Sequence, residues 1–342
     1  MHSTPMKAIM LHAPGELHQT RTQSPTPNRD EVLVRVTHSG VCGTDLKIYH
    51  GDIPVPYPLI MGHELAGEVV AGGESAGLEE GARVVVDPVF FCGGCFHCRR
   101  GQTHLCPAGG LLGRDRHGGF ADYVAVPAGN VYPLPDEIDS RLAPLLQVLT
   151  TCLHAQRLAR IFPGDAVAVL GLGVTGQLHL QLAKARGACP VIGITRSPQK
   201  RELATRLGAD FTFPPGELAK AGVLEITGGR GADVVIESAG VATTFAEAIR
   251  LARAGGQLLA FGITTRGNDI PFYQLYFKEL SILHARAAKG EDYPAAIELV
   301  QHKMVQLEPL VSHTMPLEAL EQALHLLADK NAPAMKIILE HT

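Results

Sequence analysis

The chain has 342 residues, of which 46% are hydrophobic and 19% charged, and its formal net charge is −4. The length predicts two domains, and the small negative charge argues against nucleic acid or an anionic membrane as the main partner. No apolar run is long enough to span a membrane and the N-terminus has no secretory signal, so we expect a cytoplasmic protein.

The first 150 residues are predicted to be rich in short strands. Runs of Val and Ile separated by Gly and Pro, such as EVLVRVTHSGV and ARVVVDPV, indicate a barrel-like antiparallel domain. From about residue 151 apolar strands alternate with helical patterns, which predicts a doubly wound parallel sheet. We therefore expect an α/β protein with a catalytic domain at 1–152 and 288–342 and a dinucleotide-binding domain at 153–287.

Helices in the second domain are predicted from apolar spacing and from end signals. The run VTGQLHLQLAKARGA places Val174, Leu178 and Leu182 at i, i+4 and i+8. In SPQKRELATRLGA, Ser197 is a plausible N-cap and Pro198 a plausible first helical residue. The run FAEAIRLARAGG is predicted as a further helix, followed by the strand QLLAFGI.

A glycine-rich motif, GLGVTG, lies between a predicted strand and a predicted helix. In a dinucleotide site Gly171 makes the tight turn, Gly173 lets backbone approach the pyrophosphate, and Gly176 lets helix pack on strand. The helix that begins near Val174 and Thr175 supplies N–H groups to the phosphates. The alternative is a turn whose glycines serve packing alone.

The residue after the second strand of such a domain selects the cofactor. NAD sites usually carry an acid there, whereas this chain has Thr195 and Arg196 and no acid before Glu202. Arg196 can bind a 2′-phosphate, reinforced by Lys200 or Arg201, so we predict NADP(H) over NAD(H). The alternative is that these are solvated surface charges. The residues assigned to the cofactor site are Gly171, Gly173, Val174, Thr175, Gly176, Thr195, Arg196, Lys200 and Gly262.

Four of the seven cysteines crowd into the segment CGGCFHCRRGQTHLC, within a lobe at 88–107. Four thiolates on one short loop favour a closed, tetrahedral structural zinc site. An iron–sulfur cluster is the rival, but its usual last spacing is shorter than the seven residues found here. His97 and His104 are potential competing ligands. The predicted ligands are Cys92, Cys95, Cys98 and Cys106.

Outside that lobe, Cys42 in GVCGTD and His63 in GHELAGEVV are a second potential pair of metal ligands. Together with the four-cysteine lobe and GLGVTG, these motifs resemble, in order and spacing, the zinc-dependent medium-chain alcohol dehydrogenases. The resemblance runs nearly end to end and is closest to the polyol, sorbitol and threonine dehydrogenase branch. It implies a GroES-like catalytic domain joined to a Rossmann domain, with one catalytic and one structural zinc ion per subunit.

The resemblance also assigns roles to the residues around the second pair. Cys42 and His63 would be catalytic zinc ligands, and Glu64 would sit beside the metal or occasionally bind it. Thr44 would hydrogen-bond the substrate hydroxyl and pass its proton outward. Asp45 would orient the His63 ring from behind.

Two positions depart from the family pattern. Where some members have a relay histidine, this chain has Lys47, and where they have Cys or Glu as the third zinc ligand it has Gln147. An amide oxygen is a neutral, weak zinc donor, so weaker metal retention and stronger Lewis acidity are expected unless Glu64 binds directly. On a helix Cys152 would point about 140° away, and His154 would lie roughly 10 Å along the axis.

The function implied is reversible oxidation of a secondary or polyhydroxy alcohol, or a sugar, with NADP. Substrate pocket candidates are Tyr49, His50 and the loop 111–116. The alternatives are an NAD-linked polyol or threonine-type dehydrogenase, a zinc-independent reductase of the same superfamily, and a catalytically weak NADP(H)-binding sensor. Members of the family are usually homodimers or homotetramers, and ELSILHA is a possible joining edge.

Overall fold

The computed structural model describes residues 5–263, 270–329 and 334–342. Contacts divide the chain into two compact units: Met1–Thr150, Ala287–Gln301 and Leu310–Thr342 form the first, and Thr151–Arg286 and His302–Pro309 form the second. The predicted limits at 152 and 288 fall close to these, but 302–309 groups with the second unit. The catalytic and cofactor-binding roles of the two domains stay a prediction.

The described strands follow one another along the whole chain. In chain order they are β1 (Pro5–Ala13), β2 (Glu16–Gln23), β3 (Glu31–Val41), β4 (Leu59–Ile60), β5 (Glu64–Ala71), β6 (Arg83–Val86), β7 (Val89–Phe90), β8 (Gly110–Leu111), β9 (Tyr123–Pro127), β10 (Val131–Pro133), β11 (Val167–Leu170), β12 (Val191–Ile194), β13 (Phe211–Phe213), β14 (Ala232–Glu237), β15 (Ala252–Ala260), β16 (Ser281–His284), β17 (Val311–Pro316) and β18 (Lys336–Glu340).

The described helices are short. They are α1 (Gly43–Tyr49), α2 (Phe96–Arg99), α3 (Pro144–Leu158), α4 (Val174–Ala185), α5 (Pro198–Arg206), α6 (Glu217–Ile226), α7 (Ala242–Leu251), α8 (Phe272–Lys278), α9 (Asp292–Gln301) and α10 (Leu320–Ala328). None of those described combines the length and the apolar character that crossing a bilayer requires.

The first unit is built mainly from antiparallel strands. Its larger sheet has the order β10-β6-β5-β3-β18-β17 with β9 on β3, and a smaller sheet has the order β2-β1-β4. Val32, Val34 and Val36 alternate along β3 and are buried, as a strand with one core face requires. The sequence did not predict the polar strand β2, ELHQTRTQ. It has no alternation of apolar and polar residues, and pairing with β1 makes it a strand.

The second unit is a parallel sheet in the order β13-β12-β11-β14-β15-β16. The chain runs outward from β11 to one edge, returns, and continues from β14 to the other edge. This is the doubly wound order of dinucleotide-binding folds, with its switch point at β11. The predicted fold class, a Rossmann domain with a β-rich GroES-like domain, is confirmed.

One predicted helix end was wrong, and one predicted helix start was right. The run FAEAIRLARAGG was predicted as one helix, but α7 ends at Leu251 and β15 begins at Ala252. The parallel pairing of Ala232 with Ala252 at the edge of the ladder overrides the helical pattern there. Ser197 does cap α5, since its Oγ accepts from the N–H of Lys200, and Pro198 is the first helical residue.

A buried carboxyl follows β6 in the first unit. Asp87 is 5% exposed, and its Oδ1 accepts a hydrogen bond from the Val89 N–H at 3.0 Å. Burial raises the pKa of Asp87 to about 7; the Val89 bond opposes this, and the charge of Asp292, also buried, adds to it. The group is therefore poised to titrate near neutral pH.

Asp87→Asn is expected to stabilise the protein more at pH 8 than at pH 5. In the folded state the pKa of Asp87 lies above its ordinary value of 3.8. The free energy of unfolding of the wild type is therefore highest below about pH 4 and falls as the pH rises towards 7. The stabilisation by Asp87→Asn at pH 8 should exceed that at pH 5 by on the order of 2 kcal/mol. Urea unfolding at both pH values measures it, with the exposed Asp30→Asn as control; an equal effect of Asp87→Asn at both would contradict the prediction.

Candidate functional site

The four predicted cysteines of the 88–107 lobe come together. Their sulfur atoms lie within 4.8 Å of one another, with separations of 3.5 Å for Cys95–Cys98, 3.9 Å for Cys95–Cys106 and 3.6 Å for Cys92–Cys106. A tetrahedron with zinc–sulfur bonds of about 2.3 Å has edges of about 3.8 Å, so the sulfur positions fit zinc. His97 contacts the amide of Gln102 instead.

Backbone hydrogen bonds in this lobe favour the thiolate form of Cys92. Cys95 caps α2, and its sulfur accepts from the N–H of Cys98. Bonds from the N–H groups of Gly94 and Cys95 lower the pKa of Cys92 to about 6. Because the thiolate is the form that binds a metal, these bonds favour coordination.

Cys42, His63 and Glu64 form a second cluster, with one ligand atom from each within 4.8 Å of the others. Strand pairing explains why these three side chains lie close together, because β3 and β5 are antiparallel neighbours and Gly40 lies opposite Glu64. Cys42 follows β3 directly, and His63 precedes β5. A Cβ at Gly40 would collide with the Glu64 carboxylate, so the close approach requires glycine at that position.

Asp45 lies behind His63, as the family pattern implied. Its Oδ1 is 3.3 Å from His63 Nδ1, and its Oδ2 accepts from the Cys42 N–H at 2.8 Å. Both side chains are buried. This placement would let Asp45 orient the imidazole and leave Nε2 available to a metal, and the same carboxylate holds the Cys42 backbone.

Lys336 is a member of this cluster that the sequence did not identify. Its Nζ donates to Glu64 Oε1 at 2.8 Å, to Glu64 Oε2 at 2.6 Å and to the Val41 carbonyl at 3.2 Å. Burial alone would lower its pKa, but Glu64 and then Cys42 outweigh burial and the pKa is raised. Lys336 is thus a buried cation paired with Glu64. The available signal was a lysine directly before the apolar run IIL of the closing strand MKIILE.

The remaining residues assigned to this centre are placed on α1 and α3. Thr44 and Lys47 are half-buried on α1, and Gln147 is buried on α3 at 7% exposure. Cys152, also on α3, directs its thiol to the Thr175 carbonyl. Tyr49 donates its hydroxyl to Glu321, which links α1 to α10.

The glycine-rich turn lies between β11 and α4. A Cβ at Gly171 would lie 2.7 Å from the Ala239 backbone nitrogen, and one at Gly176 would collide with the Gly171 carbonyl. No atom of the residues that the structure describes lies within 4 Å of a Cβ at Gly173, the N-cap of α4. The first and third glycines therefore serve packing, whereas the second leaves space among the described residues. Thr175 Oγ1 contacts Ser238 Oγ at 2.8 Å.

The candidate 2′-phosphate residues follow β12. Arg196 is exposed and Lys200 half-buried at the start of α5. Arg201 donates from Nη1 to the carbonyls of Thr195 at 2.8 Å and Arg196 at 3.1 Å, so it braces the turn. Gly262 packs against Gly240, leaving no room for a side chain.

Comparison with known proteins agrees with this arrangement. Residues 28–136 match the alcohol dehydrogenase GroES-like domain, and residues 174–302 match the zinc-binding dehydrogenase family. The chain is 33% identical to sorbitol dehydrogenase of Halalkalibacterium halodurans, over 98% of this chain and 99% of that one. It is 34% identical to 2-dehydro-3-deoxy-L-galactonate 5-dehydrogenase of Pseudoalteromonas atlantica, over 92% of each.

A solved structure extends the likeness to three dimensions. A zinc-binding dehydrogenase from Sinorhizobium meliloti 1021, bound to NADP, superposes with a TM-score of 0.90 at 33% identity, covering 98% of this chain and 99% of that one. Sequence and fold therefore agree on an oxidoreductase that acts on alcohol groups. The chain belongs to the zinc-dependent medium-chain alcohol dehydrogenase family.

Proposed function

We propose that the chain transfers a hydride reversibly between a secondary or polyhydroxy alcohol, or a sugar, and NADP. The observation that carries this proposal is the buried cluster of Cys42, His63 and Glu64, with Asp45 behind the histidine. Sorbitol and sugar-acid dehydrogenases among the relatives support a polyhydroxy substrate.

The donor set suits a catalytic zinc ion. Cys42 and His63 would hold it, with Gln147 as the candidate third ligand. Zinc with an open position lowers the pKa of a bound alcohol and polarises a bound carbonyl. The Lys336 ammonium already neutralises Glu64, so Cys42 would be the main uncompensated anion. We infer a strongly electrophilic site in which Glu64 stays beside the metal rather than on it.

The chain's own residues would handle the proton. Thr44 lies two residues after Cys42 on the first turn of α1, where its hydroxyl would accept the substrate proton and pass it outward. Lys47, one turn along the same helix, is the candidate for the outer end of that path. Asp45 keeps His63 in one orientation throughout.

A turnover panel tests the proposed function. Zinc-loaded protein is assayed with sorbitol, other polyols, sugars, threonine and simple secondary alcohols, using NADP and NAD in parallel. The proposal predicts NADP-dependent turnover of at least one secondary alcohol, polyol or sugar, which disappears on chelation. Turnover of none of them with NADP, or turnover unaffected by chelation, would contradict it.

Arg196→Ala is expected to lower kcat/KM for NADP by about tenfold or more and to leave that for NAD nearly unchanged, because it removes a charge-assisted bond to the 2′-phosphate. Arg206→Ala, which alters an exposed arginine at the end of α5, the helix that follows Arg196, is the matched control. The ratio of the two kcat/KM values measures the effect. A wild-type preference for NAD, or an equal loss with both cofactors, would count against NADP selectivity.

A further inference from the structure

The first unit contains a cavity of about 290 Å³, which is lined in part by Leu112 and Arg116 of the loop predicted to line the substrate pocket. By liquid water volume it has room for about ten water-sized groups. Its walls are mostly apolar, with Met6 and Met10 from β1, Ile60 from β4, and Phe90 and Leu112 near the four-cysteine lobe. The cluster of Cys42, His63 and Glu64 is not among its lining residues.

One wall of the cavity, the donor wall, is formed by the consecutive residues Arg116 and His117, which are exposed to solvent. The Arg116 guanidinium is held over the Phe90 ring, 4.0 Å from its centroid. His117 accepts the Ile60 N–H at Nδ1, 3.1 Å away, so in the neutral ring Nε2 carries the hydrogen and is a donor. A guanidinium beside an N–H donor matches a carboxylate.

The cavity also contains an acid, but that acid is engaged by protein. Glu31 Oε2 accepts from the backbone N–H of Asn28 at 3.0 Å and from its side-chain amide at 2.8 Å. These bonds fix the position of the Glu31 carboxylate but leave its charge, so an anion would bind only at Arg116 and His117, with apolar surface left for the rest of the molecule.

The donor wall is connected to the metal-binding segment by backbone bonds. Gly118 N–H donates to the Ile60 carbonyl at 2.7 Å, and Phe120 N–H donates to the Met61 carbonyl at 2.9 Å. A Cβ at Gly118 would collide with the Gly62 carbonyl, so the two segments are in close backbone contact. His63 follows Gly62 directly, so a shift of the donor wall would also move this candidate zinc ligand.

We propose that this cavity is a regulatory site for a small amphipathic carboxylate, with the carboxylate at Arg116 and His117 and an apolar chain among the methionines. Occupation of the cavity changes turnover through the 60–63 segment. The binding does not depend on the proposed function, whereas the effect on turnover rests on it.

Calorimetry with octanoate on the zinc-loaded protein tests the site, and octanamide, the neutral counterpart, is the control ligand. One octanoate should bind per chain, about tenfold more tightly than octanamide, because the charge-assisted bonds are lost with the amide. Arg116→Gln should remove that preference. Equal binding of the two ligands by wild type overturns the proposal.

A variant that fills the cavity separates this site from the metal centre. Ala125 lines the cavity, and Ala125→Phe should abolish octanoate binding and its effect on turnover while basal turnover persists. Thr22, on β2, also lines the cavity, and Thr22→Phe provides the same test if Ala125→Phe does not fold. Octanoate that binds either folded variant as it binds wild type, or that competes simply with the alcohol, overturns the proposal.

Discussion

Lys336→Met is expected to lower the free energy of unfolding by about 3–5 kcal/mol, because it leaves the buried Glu64 carboxylate without its cation. Glu64 has no solvent exposure and Lys336 is 4% exposed, so water cannot replace the lost partner. Urea unfolding of the zinc-loaded protein measures the loss.

Two companion variants show whether the pairing itself is responsible. The double variant Lys336→Met with Glu64→Gln removes both charges and should recover much of the stability. Lys184→Met breaks a half-exposed pair with Asp210 and should cost less than about 1 kcal/mol. A double variant no more stable than Lys336→Met would show that Glu64 is not the reason for the loss.

His63→Ala is expected to reduce kcat/KM by about a thousandfold or more, since loss of the metal's Lewis acidity removes several kcal/mol of transition-state stabilisation. Steady-state kinetics with the best polyol and NADP measure the loss. The matched control is His12→Ala, which replaces an exposed histidine of the same unit and should leave kcat/KM unchanged.

The catalytic loss should not be accompanied by global unfolding. His63→Ala should keep the four-cysteine zinc, because that lobe has its own complete ligand set. A folded His63→Ala variant with wild-type kcat/KM would remove His63 from the reaction.

Local patterns predicted two features of the second unit. The glycine turn and the Ser197–Pro198 helix start depend on residues within a few positions of one another, and the structure has both as predicted. The end of α7 was missed because ladder pairing across the sheet, not local propensity, decides where β15 begins.

The candidate metal centre depends on contacts between distant parts of the chain. The family resemblance predicted that Cys42 and His63 share a metal site, since no local sequence pattern connects residues next to adjacent strands. Lys336 is 272 positions from Glu64, and only the pairing of β18 with β3 brings the closing strand to the site. Arg201, offered as an alternative to Lys200 for reinforcing Arg196, donates to two carbonyls, a role that depends on the turn's backbone geometry.

A zinc ion held by Cys42 and His63 would perform the reaction, and the four-cysteine zinc would take no part in it. Zinc content and turnover are measured on the same samples during stepwise chelation. We expect two zinc ions per chain at the start, with turnover lost as the first is removed and regained when zinc is restored. Full turnover in a sample without zinc, or in one whose remaining zinc is held by the four cysteines, would contradict this assignment.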